Sequence, residues 1–234
     1  MIKKDIRAAE LYKTMFTVAI PIVIQNLIGN SLTIVDTVMI SSLGEASVAA
    51  VGIAGRLQFL FVLITFGFYS GAGIFMAQYF GSRNFERMRV TMALQLVLGI
   101  MSSAVFMTVA LVFPRWYMSI FSKDPQVIEL GIGYLKYLGW GFGMHAISYA
   151  YIVSLRSIRD SLYPMYVSAI ALIANTVLNY GLIFGNFGLP QLGVEGAAIA
   201  TTISRFIEAG FMIYSVYFGS RFVLRAKLED FRNI

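Results

Sequence analysis

The sequence predicts an all-α integral membrane protein, a bundle of six transmembrane helices, and three observations carry that expectation. The first is composition. Hydrophobic residues make up 58% of the 234-residue chain and charged residues 13%, where a soluble domain carries about a quarter charged residues. A soluble fold of this size cannot bury that much apolar surface, so lipid is the natural solvent. The second is segmentation: Gly, Pro and charge clusters divide the apolar residues into six runs, each long enough for the roughly 20 residues a spanning helix needs. The third is that, once the runs are threaded through a bilayer, the basic residues fall almost entirely on one side. Helices follow from the bilayer itself, because a lipid-exposed backbone must satisfy its own hydrogen bonds.

Residues 1–15, "MIKKDIRAAELYKTM", are charged and amphipathic, and no small-residue cleavage site follows them. They are expected to form a retained cytoplasmic segment at the interface and not a removed signal peptide. The six spans are placed near 16–40, 48–79, 91–113, 127–153, 164–186 and 194–219, and 220–234 reads as a basic cytoplasmic linker or tail. The second and fourth spans exceed the minimum length, which implies tilt or extension beyond the hydrocarbon. Pro21 lies inside the first span, where a missing backbone donor is expected to kink the helix.

Charge gives the orientation. Lys3, Lys4, Arg7, Lys13, Arg83, Arg87, Arg89, Arg156, Arg159, Arg221, Arg225, Lys227 and Arg232 all fall on one side, against Arg115 and Lys123 on the other. The positive-inside rule then puts both termini in the cytoplasm of a multi-pass protein of the plasma (inner) membrane. This placement explains the net charge of +6 as topological anchoring, with no nucleic-acid partner needed. The chain has no cysteine, and His145 is its sole histidine, so Cys- and His-cluster metal sites are excluded. It has no Gly-x-Ser-x-Gly and no nucleotide loop, so the reading is of a non-enzyme without a cofactor, driven by an ion gradient and not by ATP.

The informative residues are the polar ones inside spans: Asp36, Arg56, Lys136, His145, Asn175, Asn179, Arg205 and Glu208. A charge at the bilayer centre costs at least ~2.5–3.5 kcal/mol on insertion scales, so each is expected to face protein or water. At about 1.5 Å per residue, Asp36 lies roughly 12 Å to the outer side of its span's midpoint, and Asn179 and Thr201 each lie roughly 7 Å to the outer side of theirs. Asn175 sits one turn below Asn179 on the same face. One carboxylate, two amides and a hydroxyl therefore share a layer that can hold a proton or a small hard cation, since oxygen ligands suit such ions. An alternative stands beside this. Arg56 lies at a similar depth and could neutralise Asp36 as its counter-ion, with the amides serving as interhelical glue. Elsewhere, His145 is expected to be a hydrogen-bonded packing residue and Lys136 to snorkel toward the outer interface. Arg205 and Glu208 are placed to pair, and Trp116, Tyr117 and Trp140 read as interface aromatics.

These residues resemble those of the multidrug and toxic compound extrusion (MATE) family of cation-coupled exporters. The match runs through "AIPIVIQNLIGNSLTIVDTVMIS" with Pro21 and Asp36, "GAGIFMAQYFGSRNFERMR", "SLRSIRDSLYPM" in the place of a Leu-Arg-Gly-x-Gly-Asp-x-x-x-Pro loop, and "NTVLNYGLIFGNFGLPQLGVEGAAIATTISR". The resemblance implies one six-helix lobe of a twelve-helix, two-lobed transporter. It implies that Asp36 couples H⁺ or Na⁺ movement, and that Asn175, Asn179 and Thr201 line the same site. By the same resemblance Asn179 stands where some members carry Asp, and Arg56 where a neutral residue is expected. The implied activity is export of cationic or amphipathic drugs by alternating access. The partners implied are membrane lipid and a second lobe in cis, or a homodimer or partner half-transporter in its place. Two rival readings remain: a noncatalytic or degenerate half-transporter serving as a scaffold, and a lipid-linked precursor flippase using Arg56, Lys136 and Arg205 as cavity cations.

Overall fold

Each apolar run folds as one long helix, and the breaks between them fall where the chain supplies caps. The structure is a computed structural model that describes residues 2–219, 221 and 224–232, leaving out the side chains of 2–9, 11 and 14. The helices are α1 (Ile2–Ser41), α2 (Glu45–Gly81), α3 (Phe85–Val112), α4 (Pro114–Phe121), α5 (Pro125–Ser157), α6 (Leu162–Phe184), α7 (Val194–Tyr217) and α8 (Leu228–Arg232). Asn84 and Asp124 start α3 and α5 by accepting side-chain hydrogen bonds from the Arg87 and Gln126 amides at 3.2 and 2.8 Å, which satisfies donors the first turn leaves free. Gly185 ends α6 in the left-handed region at φ 77°, the conformation a helix C-terminus commonly takes and a Cβ would disfavour.

Several expectations are corrected. The N-terminal residues are helical and continuous with the first span, α1 running unbroken from Ile2 through Pro21 to Ser41, with the apolar part at Met15–Ser41. A helix absent from the sequence reading, α4, fills the connection after α3. Its signals are Pro114 at the first helical position and the apolar and aromatic residues that follow it. Its Tyr117 is not an interface aromatic. It is 6% exposed, and its hydroxyl donates to the Ile53 carbonyl at 3.0 Å. Trp116 and Trp140 do lie exposed. The tail is not a plain linker: Leu224 and Ala226 are buried, and α8 packs on α3. Asp230 accepts from the Lys227 amide at 2.7 Å and lies 3.5 Å from the Arg89 Nε. Arg221 reaches Asp160 at 2.6 Å and stacks its guanidinium 4.0 Å over Tyr163. Residues 1, 220, 222, 223, 233 and 234 of the predicted end segments lie outside the described residues.

Among the described residues, five helices are long and apolar enough to cross a membrane: α2, α3, α6, α7 and the Met15–Ser41 part of α1. The expected fourth span, α5, has the length at 33 residues but not the hydropathy. The reason is its position. α5 packs against α2, α3, α4 and α7 at once, so it meets helices where the others meet lipid. Its glycines and buried Ser148 and Ser154 allow close approach without apolar bulk. On one side Phe61 meets Phe106 and Phe142 edge to face, at 5.4 and 5.0 Å between centroids. Further along, the Tyr69 hydroxyl donates to the Ala146 carbonyl at 2.9 Å. Gly99 makes room for it, since a Cβ there would lie 1.9 Å from that hydroxyl.

α1 stands apart from this arrangement. It packs chiefly on α6, with lesser contact to α2 and α7. The space left between α1, α2, α5, α6 and α7 is the cavity described next.

Candidate functional site

The cavity has a volume of about 830 Å³ and is lined by side chains of α1, α2, α5, α6 and α7. The α1 wall contains Gln25, Gly29, Thr33 and Asp36, whose spacing of four, four and three residues places them on one helix face. The α2 wall contains Val48, Gly52, Gly55 and Val62.

The structure brings four sequence-predicted residues into one network. Asn179 donates from Nδ2 to Asp36 Oδ1, and also to Asn175 Oδ1 at 3.0 Å. Asn175 donates to the Thr201 hydroxyl at 3.3 Å. With its amide turned over, Asn175 instead donates to Asp36 at 2.9 Å and accepts from Thr201 at 3.3 Å, so either orientation links the set. Asn175 and Asn179 are fully buried and Thr201 is 5% exposed. The Asn179 carbonyl oxygen, Oδ1, is buried with no hydrogen-bond partner among the described residues. A fully desolvated amide oxygen without a partner costs free energy, and it lies beside a carboxylate. The arrangement offers neutral and anionic oxygens together, which is the chemistry of a proton or hard-cation site.

Arg56 is not the counter-ion of Asp36. Among the described residues it makes no ion pair, and its guanidinium lies 5.1 Å from the Phe121 ring centroid of α4. The cause is helical phase. Gly52 and Gly55 face the cavity, and each residue adds about 100° of rotation, so Arg56 turns away toward α4. A cation that shares the cavity wall with Asp36 is Arg205, one turn along α7 from Thr201. It pairs with Glu208 at 3.0 Å, as its spacing suggested. Lys136 also stays off the cavity, with its Nζ 5.7 Å from the Tyr137 ring. Of the three candidate cations of the flippase reading, only Arg205 lines the cavity.

His145 departs from expectation in a different way. Both ring nitrogens are buried without a partner among the described residues. It is held by stacking on Tyr149 at 5.9 Å and 7°, and by an edge contact with Phe61 at 5.7 Å.

A second polar network, missed in the sequence, runs along the same cavity. Glu208 accepts from the Ser168 hydroxyl at 3.0 Å. Gln25 donates to Ser168 at 2.8 Å and to the Pro164 carbonyl at 3.3 Å. The Gln25 carbonyl oxygen accepts from Arg156 Nη2 at 2.7 Å. Gln25 was legible in principle, since it shares the helix face of Asp36. Arg156 was read as part of a loop because it falls in the last turn of α5, next to a second arginine.

The chain is thus a helical bundle with five candidate membrane spans among the described residues and a polar-lined cavity beside α1. A family model described as MatE matches residues 21–181, and the chain belongs to that family. Among its relatives, the probable multidrug resistance protein YoeA of Bacillus subtilis is 28% identical over 212 residues, covering 90% of this chain and 45% of YoeA. The probable multidrug resistance protein NorM of Thermotoga maritima is 27% identical over 220 residues, covering 94% of this chain and 47% of NorM. A solved outward-facing MATE family transporter of the MOP superfamily superposes with a TM-score of 0.84 at 22% identity, covering 94% of this chain and 48% of the transporter. The chain thus spans about half the length of the relatives it matches.

Proposed function

We propose that the chain is one lobe of a cation-coupled exporter in the plasma membrane, with both termini in the cytoplasm. It expels amphipathic or cationic compounds by alternating access, in exchange for H⁺ or Na⁺. The observation that carries this reading is Asp36, a carboxylate set in the cavity wall beside the unpartnered oxygen of Asn179. The names of the relatives, multidrug resistance proteins, support the same direction.

The mechanism follows from what Asp36 holds. While charged, it accepts from Asn179 and ties α1 to α6. An entering cation meets the carboxylate, the Asn179 carbonyl and the Thr201 hydroxyl, a set of oxygens suited to Na⁺. A proton instead neutralises Asp36, which removes the attraction for a cationic substrate and weakens the tie. α1 lacks the backbone hydrogen bond that Pro21 cannot donate, so it is the helix placed to reseat. The opposite wall of the transport path comes from a second lobe in cis or from a second copy of the chain.

The test is ethidium efflux from proteoliposomes with an imposed proton or sodium gradient. Wild-type export follows one of the two gradients, and Asp36→Asn lowers the gradient-driven rate at least about tenfold at equal protein incorporation, a loss of about 1.4 kcal/mol of coupling. Arg56→Ala, off the cavity, keeps the wild-type rate. Export unaffected by Asp36→Asn would refute the coupling role and favour a scaffold.

A further inference from the structure

The two ends of the cavity differ in charge, and among the described residues neither end charge has an ion-pair partner. Asp36 lies at one end. Gln25, which holds Arg156, lies 11 residues earlier on the same face of α1, about 16 Å along the helix axis. Between them Arg205 and Glu208 neutralise each other. Arg156 has no carboxylate within ion-pair distance among the described residues. Its guanidinium lines the cavity, spends one donor on the Gln25 amide, and keeps its Nε buried with no partner. A guanidinium carries five donors in a planar fork that matches a carboxylate or phosphate. A half-buried cation with unused donors on the wall of an open cavity is the complement of an anion.

The plain alternative is that Arg156 serves only as a topological anchor, favoured by its place at the C-terminal end of α5. An anchor of that kind points to the headgroups. This side chain points into the cavity, where Tyr149, two turns earlier on α5, and Ile152 supply an apolar wall beside it.

We propose that Arg156 forms an anion subsite in the cavity, opposite the Asp36 end, that recognises the carboxylate of an amphipathic substrate, zwitterions included. This rests on the reading of the cavity as a transport site and narrows its substrate class. The cavity then accepts an acid at Arg156 and a cation at Asp36, where a site with Asp36 alone would select cations only.

The test uses a matched pair of dyes, tetramethylrhodamine, a zwitterion, and its methyl ester, a cation that differs in one carboxyl group. Affinities are measured by fluorescence anisotropy on the protein in phosphatidylcholine nanodiscs. Wild type is expected to bind the free acid more tightly than the ester. Arg156→Gln lowers affinity for the free acid about tenfold and leaves the ester within about twofold, while Arg156→Lys retains most of the free-acid affinity. An equal loss for both dyes would show a structural role through Gln25 and overturn the subsite, as would a free acid that wild type does not bind or that Arg156→Gln binds unchanged. Phosphatidylglycerol added to the discs should leave the free-acid affinity alone; competition would assign the subsite to a lipid phosphate and overturn the substrate assignment. The efflux assay with Asp36→Asn is separate. Its failure removes coupling and leaves the dye preference standing, and failure of the dye preference leaves coupling intact.

Discussion

Helices α1 and α7 face each other across the cavity and are held in opposite ways. In the most apolar stretch of α7 half the residues are buried, against 11% in α1. α7 is packed by shape against α5 and α6. Gly196 lets its backbone approach α6 so closely that a Cβ would sit 2.5 Å from the Leu182 carbonyl oxygen. α1 lies mostly exposed and is tied to its neighbours by side-chain hydrogen bonds, Gln25 to Ser168 and Arg156 near one end and Asp36 to Asn179 near the other. Gln25, Ser168, Arg156 and Asp36 all line the cavity. On the proposed function, α1 is therefore fastened largely by polar groups in or beside the cavity, whereas α7, which also lends Thr201, Arg205 and Glu208 to the lining, is fixed chiefly by packing against α5 and α6.

The largest effect should come from breaking the packed side. Gly196→Ala forces backbone away from backbone, since no flexible side chain can give way, and overpacking of that kind costs about 1–3 kcal/mol. An SDS titration of the protein in bicelles should show a loss near the top of that range, with Gly99→Ala also destabilising through Tyr69. A Gly196→Ala protein as stable as wild type would mean that α7 is not held by close packing.

Breaking a tie on α1 should cost less and act locally. Gln25→Leu removes the partner of Arg156 and one of the two bonds of Ser168, which still donates to Glu208, and a buried group so stranded costs about 1–3 kcal/mol. Cavity water reduces that cost, so roughly 1 kcal/mol is expected in the same titration. Hydrogen exchange should rise along α1 and stay unchanged in α5 and α7. Exchange rising evenly across the bundle would show that α1 is not separately seated.

A smaller change, of opposite sign, is expected at the turn joining α5 to α6. Arg159 adopts φ 66° there, a conformation that costs an L-residue roughly 1–2 kcal/mol. Arg159→Gly relieves it, and after the added flexibility of the unfolded glycine the protein should gain at most about 1 kcal/mol. No gain would mean the Arg159 side chain returns as much as its backbone loses.

The same contrast explains what the sequence revealed. The number and order of the long helices were legible because lipid demands long apolar runs, whereas the short α4 and α8 were not. α5 was placed as one of the apolar runs between charge breaks, yet it falls short of the hydropathy of the other five, since a helix surrounded by helices is not required to be greasy. Asp36, Asn175, Asn179 and Thr201 were legible as a layer because depth is read from residue count alone. Rotation about each helix axis was not legible, and it decided the remaining cases. Arg56 has nearly the depth of a partner for Asp36 but points toward Phe121. Tyr117 has the composition of an interface residue but turns inward to Ile53. Arg156 has the sequence context of a loop but turns into the cavity. Depth is a one-dimensional property that the chain states directly; azimuth follows from packing among several helices.

The mildest test of the contrast lies on the outer face of α1. Ile34 and Val38 are 62% and 64% exposed in this chain, so truncating them removes contacts with lipid or with a second lobe and not with the bundle. Ile34→Ala and Val38→Ala should shift the unfolding free energy by no more than about 0.5 kcal/mol, as surface changes do. Where a second lobe or a second copy covers this face, the same substitutions should weaken its association while leaving the lobe's own unfolding unchanged. A loss above about 1 kcal/mol in the isolated lobe would show that apolar packing holds α1 after all. Protonation of Asp36 could then no longer loosen the helix merely by releasing a hydrogen bond.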